Sequence, residues 1–145
     1  MSKGKTDTVE RTIEQIAREA AETHFGLSGA KRATVEKHIL VIKSFIFTSA
    51  GFVQNISNPK PQSEANIQVR GKATSNGKLE LGYIRFVPTS ALKRPQLSAN
   101  KKRLDLWIDQ EYMDMTLRQF QHANKYLWIG FYAGGHIYSD IHSAP

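Results

Sequence analysis

The chain has 145 residues, the size of a typical single domain, and 20 Lys and Arg residues outnumber 13 Asp and Glu residues, which gives a net charge of +7. It has no cysteine, which excludes disulfide bonds, thiol catalysis and zinc sites built on Cys. The longest apolar run, Ile39 to Ile42, is far shorter than the ~20 residues of a membrane-spanning helix. Because no apolar run follows the basic N-terminus, we expect no secretory signal, and we predict a cytoplasmic protein without membrane attachment.

The N-terminal segment predicts one amphipathic helix. We expect residues 1–6 to be a flexible basic tail and residues 7–145 to be a single α+β domain. The helix is predicted from Asp7 to Ala21, with Asp7 as its cap and Glu10 three residues on, as in a capping box. Its apolar stripe consists of Val9, Ile13, Ile16 and Ala20.

Residues 34–53 fit two patterns. A helical stripe would join Val35, Ile39, Ile42 and Ile46. A strand would place Ile39, Val41, Phe45 and Phe47 on one face and Leu40, Ile42 and Ile46 on the other. The β-branched and aromatic content favours a strand from about His38 to Phe47. Because it is apolar on both faces, such a strand should be central and covered on both sides.

Residues 65–87 predict a β-hairpin around Asn76-Gly77, a pair that suits a type I′ turn. This turn would place Arg70 opposite Tyr83 and Val69 opposite Ile84. The core face then holds Ile67, Val69, Ile84 and Phe86. The other face holds Gln68, Arg70, Lys72, Tyr83 and Arg85.

Residues 88–123 predict a basic loop, a strand and a short helix. The loop, residues 88–102, carries Lys93, Arg94, Lys101 and Lys102. Alternation of apolar and polar residues predicts a strand from Arg103 to Ile108. Asp109 is expected to cap a helix over residues 110–123, with Met113, Leu117 and Phe120 on its apolar side.

A second hairpin is predicted over residues 126–142, and two registers compete. A two-residue turn at Gly134-Gly135 would mix polar with apolar side chains. We prefer a three-residue loop at residues 133–135, which places Gly130 opposite Tyr138 and leaves one face apolar. That face holds Leu127, Ile129, Phe131, Ile137, Ser139 and Ile141. The opposite face collects Tyr126, Trp128, Tyr132, His136, Tyr138, Asp140 and His142.

Together these elements predict an α+β fold. We expect an antiparallel, curved sheet of about five or six strands, with one N-terminal helix and one short helix before the C-terminal hairpin. Strands that are adjacent in sequence should pair, and a partly closed barrel is the alternative to a layered sheet.

The chemistry-bearing residues do not form a catalytic motif that we recognise. His136, Asp140 and His142 project to one side of a predicted strand, so they are the candidates for a small enzyme. Residues four apart on a strand lie ~13 Å apart, so this strand alone cannot hold a metal ion. The sequence contains no phosphate-binding loop and no zinc-protease or nucleophile-elbow motif. We therefore predict no metal, no cofactor and, on balance, no enzyme.

The leading hypothesis is a non-enzymatic module that binds nucleic acid, because basic and aromatic side chains alternate on one sheet face and the chain is basic. The candidate nucleic-acid-binding residues are Arg70, Lys72, Tyr83, Arg85, Lys93, Arg94, Lys101, Lys102 and Arg103. An alternative hypothesis is a protein-interaction or inhibitor module that contacts a partner, or a second copy in a homodimer, through exposed rings. Its candidate interaction residues are Trp128, Tyr132 and Tyr138.

Overall fold

The computed structural model describes the backbone of residues 2–53, 57, 62–74 and 77–144, and the side chains of residues 12–51, 57, 64–74 and 77–144. Over these residues the chain forms two α-helices and one seven-stranded sheet, which is an α+β fold. In chain order the elements are α1 (Ser2–Phe25), β1 (Thr34–Val53), β2 (Gln62–Ala73), β3 (Leu81–Val87), β4 (Gln96–Leu97), β5 (Arg103–Asp109), α2 (Met113–Gln119), β6 (Asn124–Tyr132) and β7 (Ile137–Ala144).

The sheet is mixed and larger than the sequence predicted. Its strand order is β4-β5-β3-β2-β1-β6-β7, and every neighbouring pair is antiparallel except β3 and β5, which are parallel. The expectation of a purely antiparallel sheet was wrong because the connection of residues 88–102 carries the chain back along the sheet before β5 begins. Parallel neighbours need such a crossover. Within it, the two residues of β4 form an edge strand that was not predicted.

The sheet curls around its own core, in agreement with the curved sheet that the sequence predicted. Gly82 of β3 lies against the side chain of Leu127 of β6, although two strands separate β3 from β6. Lys101, in the loop before β5, donates a hydrogen bond to Glu36 of β1 over 2.7 Å. Contacts between strands so far apart in the sheet require a concave side that folds inward.

The concave side holds the larger apolar core, and α2 lies across it. Its buried members are Leu40, Ile42, Ile67, Val69, Leu79, Ile84, Phe86, Leu104, Leu106, Phe120, Leu127, Ile129 and Ile141. Phe120, which follows the last residue of α2, is buried in this core, and Gln119 donates a hydrogen bond to the Ile141 carbonyl. The apolar faces predicted for both hairpins are therefore confirmed.

Helix α1 covers only part of the convex side of the sheet. Ile13, Ala17, Ala20 and Ala21 of the helix pack on Ile39, Tyr126, Trp128 and Tyr132. Small alanine side chains let a helix approach a surface of large rings closely, so burial here is nearly complete. The predicted residues Ile13 and Ala20 are buried, whereas the side chain of Val9 lies outside the described residues. The helix itself begins at Ser2, upstream of the predicted cap at Asp7.

A bulge at Lys43 shapes β1. Ile42 pairs with Gly71 and Ser44 pairs with Arg70, so Lys43 is an extra residue. A bulge of this kind reverses the two-residue alternation of side chains beyond it. The concave side therefore receives Leu40, Ile42, Phe45 and Phe47. The strand predicted for this ambiguous segment is confirmed, but only its first half is covered on both sides.

Both hairpins keep their predicted faces, but only the second has the predicted strand register. In the second, Gly130 pairs with Tyr138 around a loop at residues 133–135, which confirms the preferred register. In the first, Ile67 pairs with Ile84, two residues away from the predicted register, and residues 74–80 separate the strands. A shift of two keeps every side chain on its predicted face. Asn76 of the predicted turn lies outside the described residues.

The second helix is shorter than predicted. Asp109 accepts a hydrogen bond from the backbone N–H of Glu111 over 3.0 Å, so the predicted cap is confirmed. A short 3-10 turn then leads into α2, which ends at Gln119. The strand predicted before it is also confirmed, as β5.

Candidate nucleic-acid interface

The convex side of β2, β3 and β5 carries a set of alternating long polar and aromatic side chains. Strand alternation places these residues opposite the core positions of the same strands. We call this set the basic-aromatic face, and it consists of Gln68, Arg70, Lys72, Tyr83, Arg85, Arg103, Asp105 and Trp107. Neither described helix packs on it, since α1 covers the convex side of β1 and β6 and α2 covers the concave side.

Strand register brings the central residues of this face into adjacent rows. Tyr83 stands opposite Asp105, and Arg85 stands opposite Trp107, in the parallel pairing of β3 with β5. Residues in such cross-strand positions lie close enough for their side chains to interact. The predicted residues Tyr83, Arg85 and Arg103 are therefore brought together around Asp105.

Asp105 fixes the two arginines. Arg85 donates to its carboxylate over 3.1 Å, and Arg103 donates two hydrogen bonds to it over 2.6 and 3.2 Å. This bonding to Asp105 raises the pKa of the Arg103 guanidinium above its usual value, so Arg103 keeps its charge. Two cations share one carboxylate, which leaves this centre with net positive charge.

Guanidinium and ammonium groups lie close to both aromatic rings of the face. The Arg85 guanidinium lies 4.1 Å from the centroid of the Tyr83 ring and 5.3 Å from that of Trp107. Arg103 lies 5.4 Å from the Tyr83 centroid, and the Lys93 ammonium lies 5.7 Å from the Trp107 centroid. Stacked guanidinium groups and rings present flat π surfaces beside fixed positive charge.

A shallow basic depression continues this face toward the loop between β2 and β3. Its volume is about 690 Å³, and its charged lining consists of Arg70, Lys72, Lys78, Glu80 and Lys102. Lys102 lies 3.8 Å from Glu80. Arg70 and Lys72 are exposed and form no ion pair with any described side chain. They are therefore available to an external anion.

The remaining predicted cations divide between the face and other surfaces. Lys93 joins the face through Trp107. Arg94 is exposed and forms no ion pair with any described side chain. Lys101 is directed away, to Glu36, and it holds a left-handed backbone with φ of 63°. Its hydrogen bond, together with that from His38, lowers the pKa of Glu36. Lys101 thus joins the loop before β5 to β1 and does not belong to the basic-aromatic face.

Trp107 is a member of the face that the sequence analysis did not select. Its signal was the alternation of β5, which places Arg103, Asp105 and Trp107 on one side and Leu104 and Leu106 on the other. The parallel pairing that brings Trp107 next to Arg85 was not predicted, so this contact was missed.

The rings proposed for protein interaction are covered instead of exposed. Trp128 is 0% exposed and Tyr132 is 3% exposed, because α1 packs directly on them. The Tyr132 hydroxyl donates a hydrogen bond to the Ala17 carbonyl over 2.7 Å. Tyr138 is half-buried and stacks on His24 of α1. The expectation that these rings are free was wrong, because a helix rich in alanine fits closely over them.

The candidate enzyme residues are separated. His136 stacks on Phe25 at 4.7 Å, away from the other two. Asp140 accepts hydrogen bonds from Tyr138 over 3.0 Å and forms one with His142 over 2.9 Å. The other ring nitrogen of His142 is buried without a partner among the described residues. A dyad whose free nitrogen is enclosed offers substrate no access, so we assign it no catalytic role.

Within the described ranges no three His, Asp or Glu side chains are grouped closely enough to hold a metal ion. Neither described helix combines the length and the apolar content that crossing a membrane requires. Comparisons with protein-family models, with curated proteins and with solved structures give no match to this chain. The argument for function therefore depends on the geometry of the basic-aromatic face.

Proposed function

We propose that this protein binds single-stranded nucleic acid through the basic-aromatic face. The observation that carries the proposal is the cluster of Tyr83, Arg85, Arg103 and Trp107 on an uncovered part of the sheet. Unpaired bases stack on such rings and guanidinium planes, and each stacked base contributes ~1–3 kcal/mol. Paired bases inside a duplex expose no free ring faces to rings on a sheet surface, which favours single strands.

The basic depression supplies the second half of the interaction. Arg70 and Lys72 lie beside the stacking cluster and keep their charges free of internal partners. Phosphates that follow the stacked bases would lie along these cations and release their counterions. Binding should therefore tolerate many sequences and weaken as salt concentration rises.

The test is a fluorescence-anisotropy titration of labelled single-stranded and duplex oligonucleotides at ~50 mM salt, where charge-driven binding is strongest. The double variant Arg70→Glu/Lys72→Glu breaks no internal ion pair. It should weaken single-strand binding by at least about tenfold and reduce the salt dependence. Failure of the wild-type protein to bind any oligonucleotide would refute the proposal.

The matched control is Lys31→Glu/Arg118→Glu, which changes net charge equally at exposed cations outside the face. We expect its affinity to fall much less than that of the double variant in the face. Equal loss in both double variants would show that overall charge, not this face, drives binding.

A further inference from the structure

An acidic side chain lies at the centre of the basic-aromatic face. The side chain of Asp105 is 15% exposed, whereas those of Arg85 and Arg103, which bond to it, are 28% and 43% exposed. The carboxylate opposes the approach of any anion, because it cancels part of the positive charge at this point. A face that bound polyanions by charge alone would therefore have a higher affinity without Asp105.

The contacts of Asp105 indicate a role that charge alone does not explain. Its two oxygens accept three hydrogen bonds, one from Arg85 over 3.1 Å and two from Arg103 over 2.6 and 3.2 Å. The bonds from Arg103 reach both oxygens, in the bidentate geometry that fixes a guanidinium plane. A guanidinium group has five N–H donors, so each arginine keeps donors for phosphate oxygens. The carboxylate thus orients both cations and leaves them able to bind an anion.

This orientation brings both cations to one ring. Tyr83 pairs with Asp105 across β3 and β5. The guanidinium group of Arg85 lies 4.1 Å from the centroid of the Tyr83 ring, and that of Arg103 lies 5.4 Å from it. Two like charges that share one ring repel each other, so without the carboxylate both side chains would separate and regain their solvent rotamers. A base that stacks here would then have to order them again, which reduces affinity.

We propose that Asp105 is a specificity-determining residue, which makes this face select strands that carry bases over polyanions that do not. This inference rests on the proposed function. For a base, the ordered planes of Arg85 and Arg103 beside Tyr83 are a stacking surface that is already formed, so the gain outweighs the weaker charge. A polyanion without bases uses only the charge, which Asp105 reduces. The carboxylate therefore shifts the two affinities in opposite directions.

Fluorescence anisotropy at ~50 mM salt compares two labelled probes: a single-stranded oligonucleotide of ~12 nucleotides, and an abasic strand of equal length, which has the sugar-phosphate backbone without bases. Asp105→Asn keeps the size of the side chain, but its amide nitrogen cannot accept a hydrogen bond. The variant should bind the oligonucleotide about tenfold more weakly, since ordering one long side chain reduces affinity by roughly two- to tenfold and two are released. It should bind the abasic strand more tightly than wild type does.

Glu80→Gln is the matched control, because it removes one negative charge from the lining of the basic depression. The Glu80 side chain is 63% exposed, and its ion pair is with Lys102 over 3.8 Å instead of with an arginine of the stacking cluster. This variant should bind both probes slightly more tightly, as the loss of a negative charge predicts. The same change of net charge thus has opposite effects on oligonucleotide binding at Asp105 and at Glu80.

Tighter oligonucleotide binding by Asp105→Asn would overturn the proposal, because Asp105 would then act by charge alone. Equal loss of both probes would also overturn it, since Asp105 would then only support the fold. Equal affinity of the wild-type protein for the two probes would contradict the selection of bases. In each of these cases the wild-type protein or its variant still identifies which claim fails: only a wild-type protein that does not bind the oligonucleotide refutes the proposed function itself, and this inference with it.

Discussion

At the scale of single residues, Gly71 shows why β1 and β2 can stay paired across the bulge. A Cβ built on Gly71 would overlap the Val41 carbonyl oxygen and crowd the Cα of Ile42 at 3.1 Å. These are backbone atoms, which cannot move aside as the tip of a flexible side chain does. The close approach of two backbones therefore requires glycine here.

We expect Gly71→Ala to reduce the free energy of unfolding by about 1–3 kcal/mol, the usual effect of forcing extra atoms into a packed site. Urea unfolding followed by circular dichroism measures the change. Gly51→Ala is the control, because a Cβ at Gly51 meets no atom within 4 Å. Equal stability of the two variants would contradict the close approach.

At the scale of elements, the packing of α1 on β6 depends on rings that are polar at one end. The Tyr132 hydroxyl donates to the Ala17 carbonyl, which joins strand to helix within a buried cluster. Burial, with a smaller effect of Asp140, raises the pKa of Tyr132 to about 12. The native protein therefore retains a proton that the unfolded chain loses near the ordinary value of 10.

Because Tyr132 keeps its proton to higher pH in the folded protein than in the unfolded chain, the packing of α1 is sensitive to alkaline pH. A raised pKa stabilises the fold fully below pH 10 and loses that effect as pH rises toward 12. At pH 8, Tyr132→Phe should reduce the free energy of unfolding by about 1 kcal/mol through the lost hydrogen bond. The difference from wild type should narrow above pH 10, because the variant has no proton to lose at this site.

Urea unfolding at a series of pH values provides the comparison. Tyr112→Phe serves as the control, since the Tyr112 side chain is 52% exposed, and it should match wild type throughout. A difference between Tyr132→Phe and wild type that stays constant from pH 8 to the alkaline range would contradict the link between this proton and stability.

Local patterns predicted the elements, but long-range contacts determined their arrangement. Alternation together with turn residues identified both hairpins, and alternation identified β5 and the shared face of Arg70 and Tyr83. The bulge at Lys43 depends on the fit of β1 against β2, and the parallel pairing of β3 with β5 depends on how the chain crosses between them. Neither leaves a local signal, so the exposure of Phe45 and the contact between Trp107 and Arg85 could not be predicted.

At the scale of the whole molecule, the curled sheet divides its surface into three parts. The convex side of β1 and β6 is covered by α1, and the concave side is filled by the core and α2. The convex side of β2, β3 and β5 remains open and collects paired and unpaired cations around two rings. This division leaves the proposed binding surface uncovered by either described helix.

The two tryptophans lie in different parts, so their fluorescence reports binding directly. Trp107 is in the basic-aromatic face, and Trp128 is buried beneath α1. Titration with an unlabelled single-stranded oligonucleotide should quench wild-type emission saturably as bases stack on Trp107. The Trp107→Phe variant, which retains only Trp128, should show almost no quenching. Binding by anisotropy without any change in Trp107 emission, or equal quenching in the variant, would contradict the stacking face.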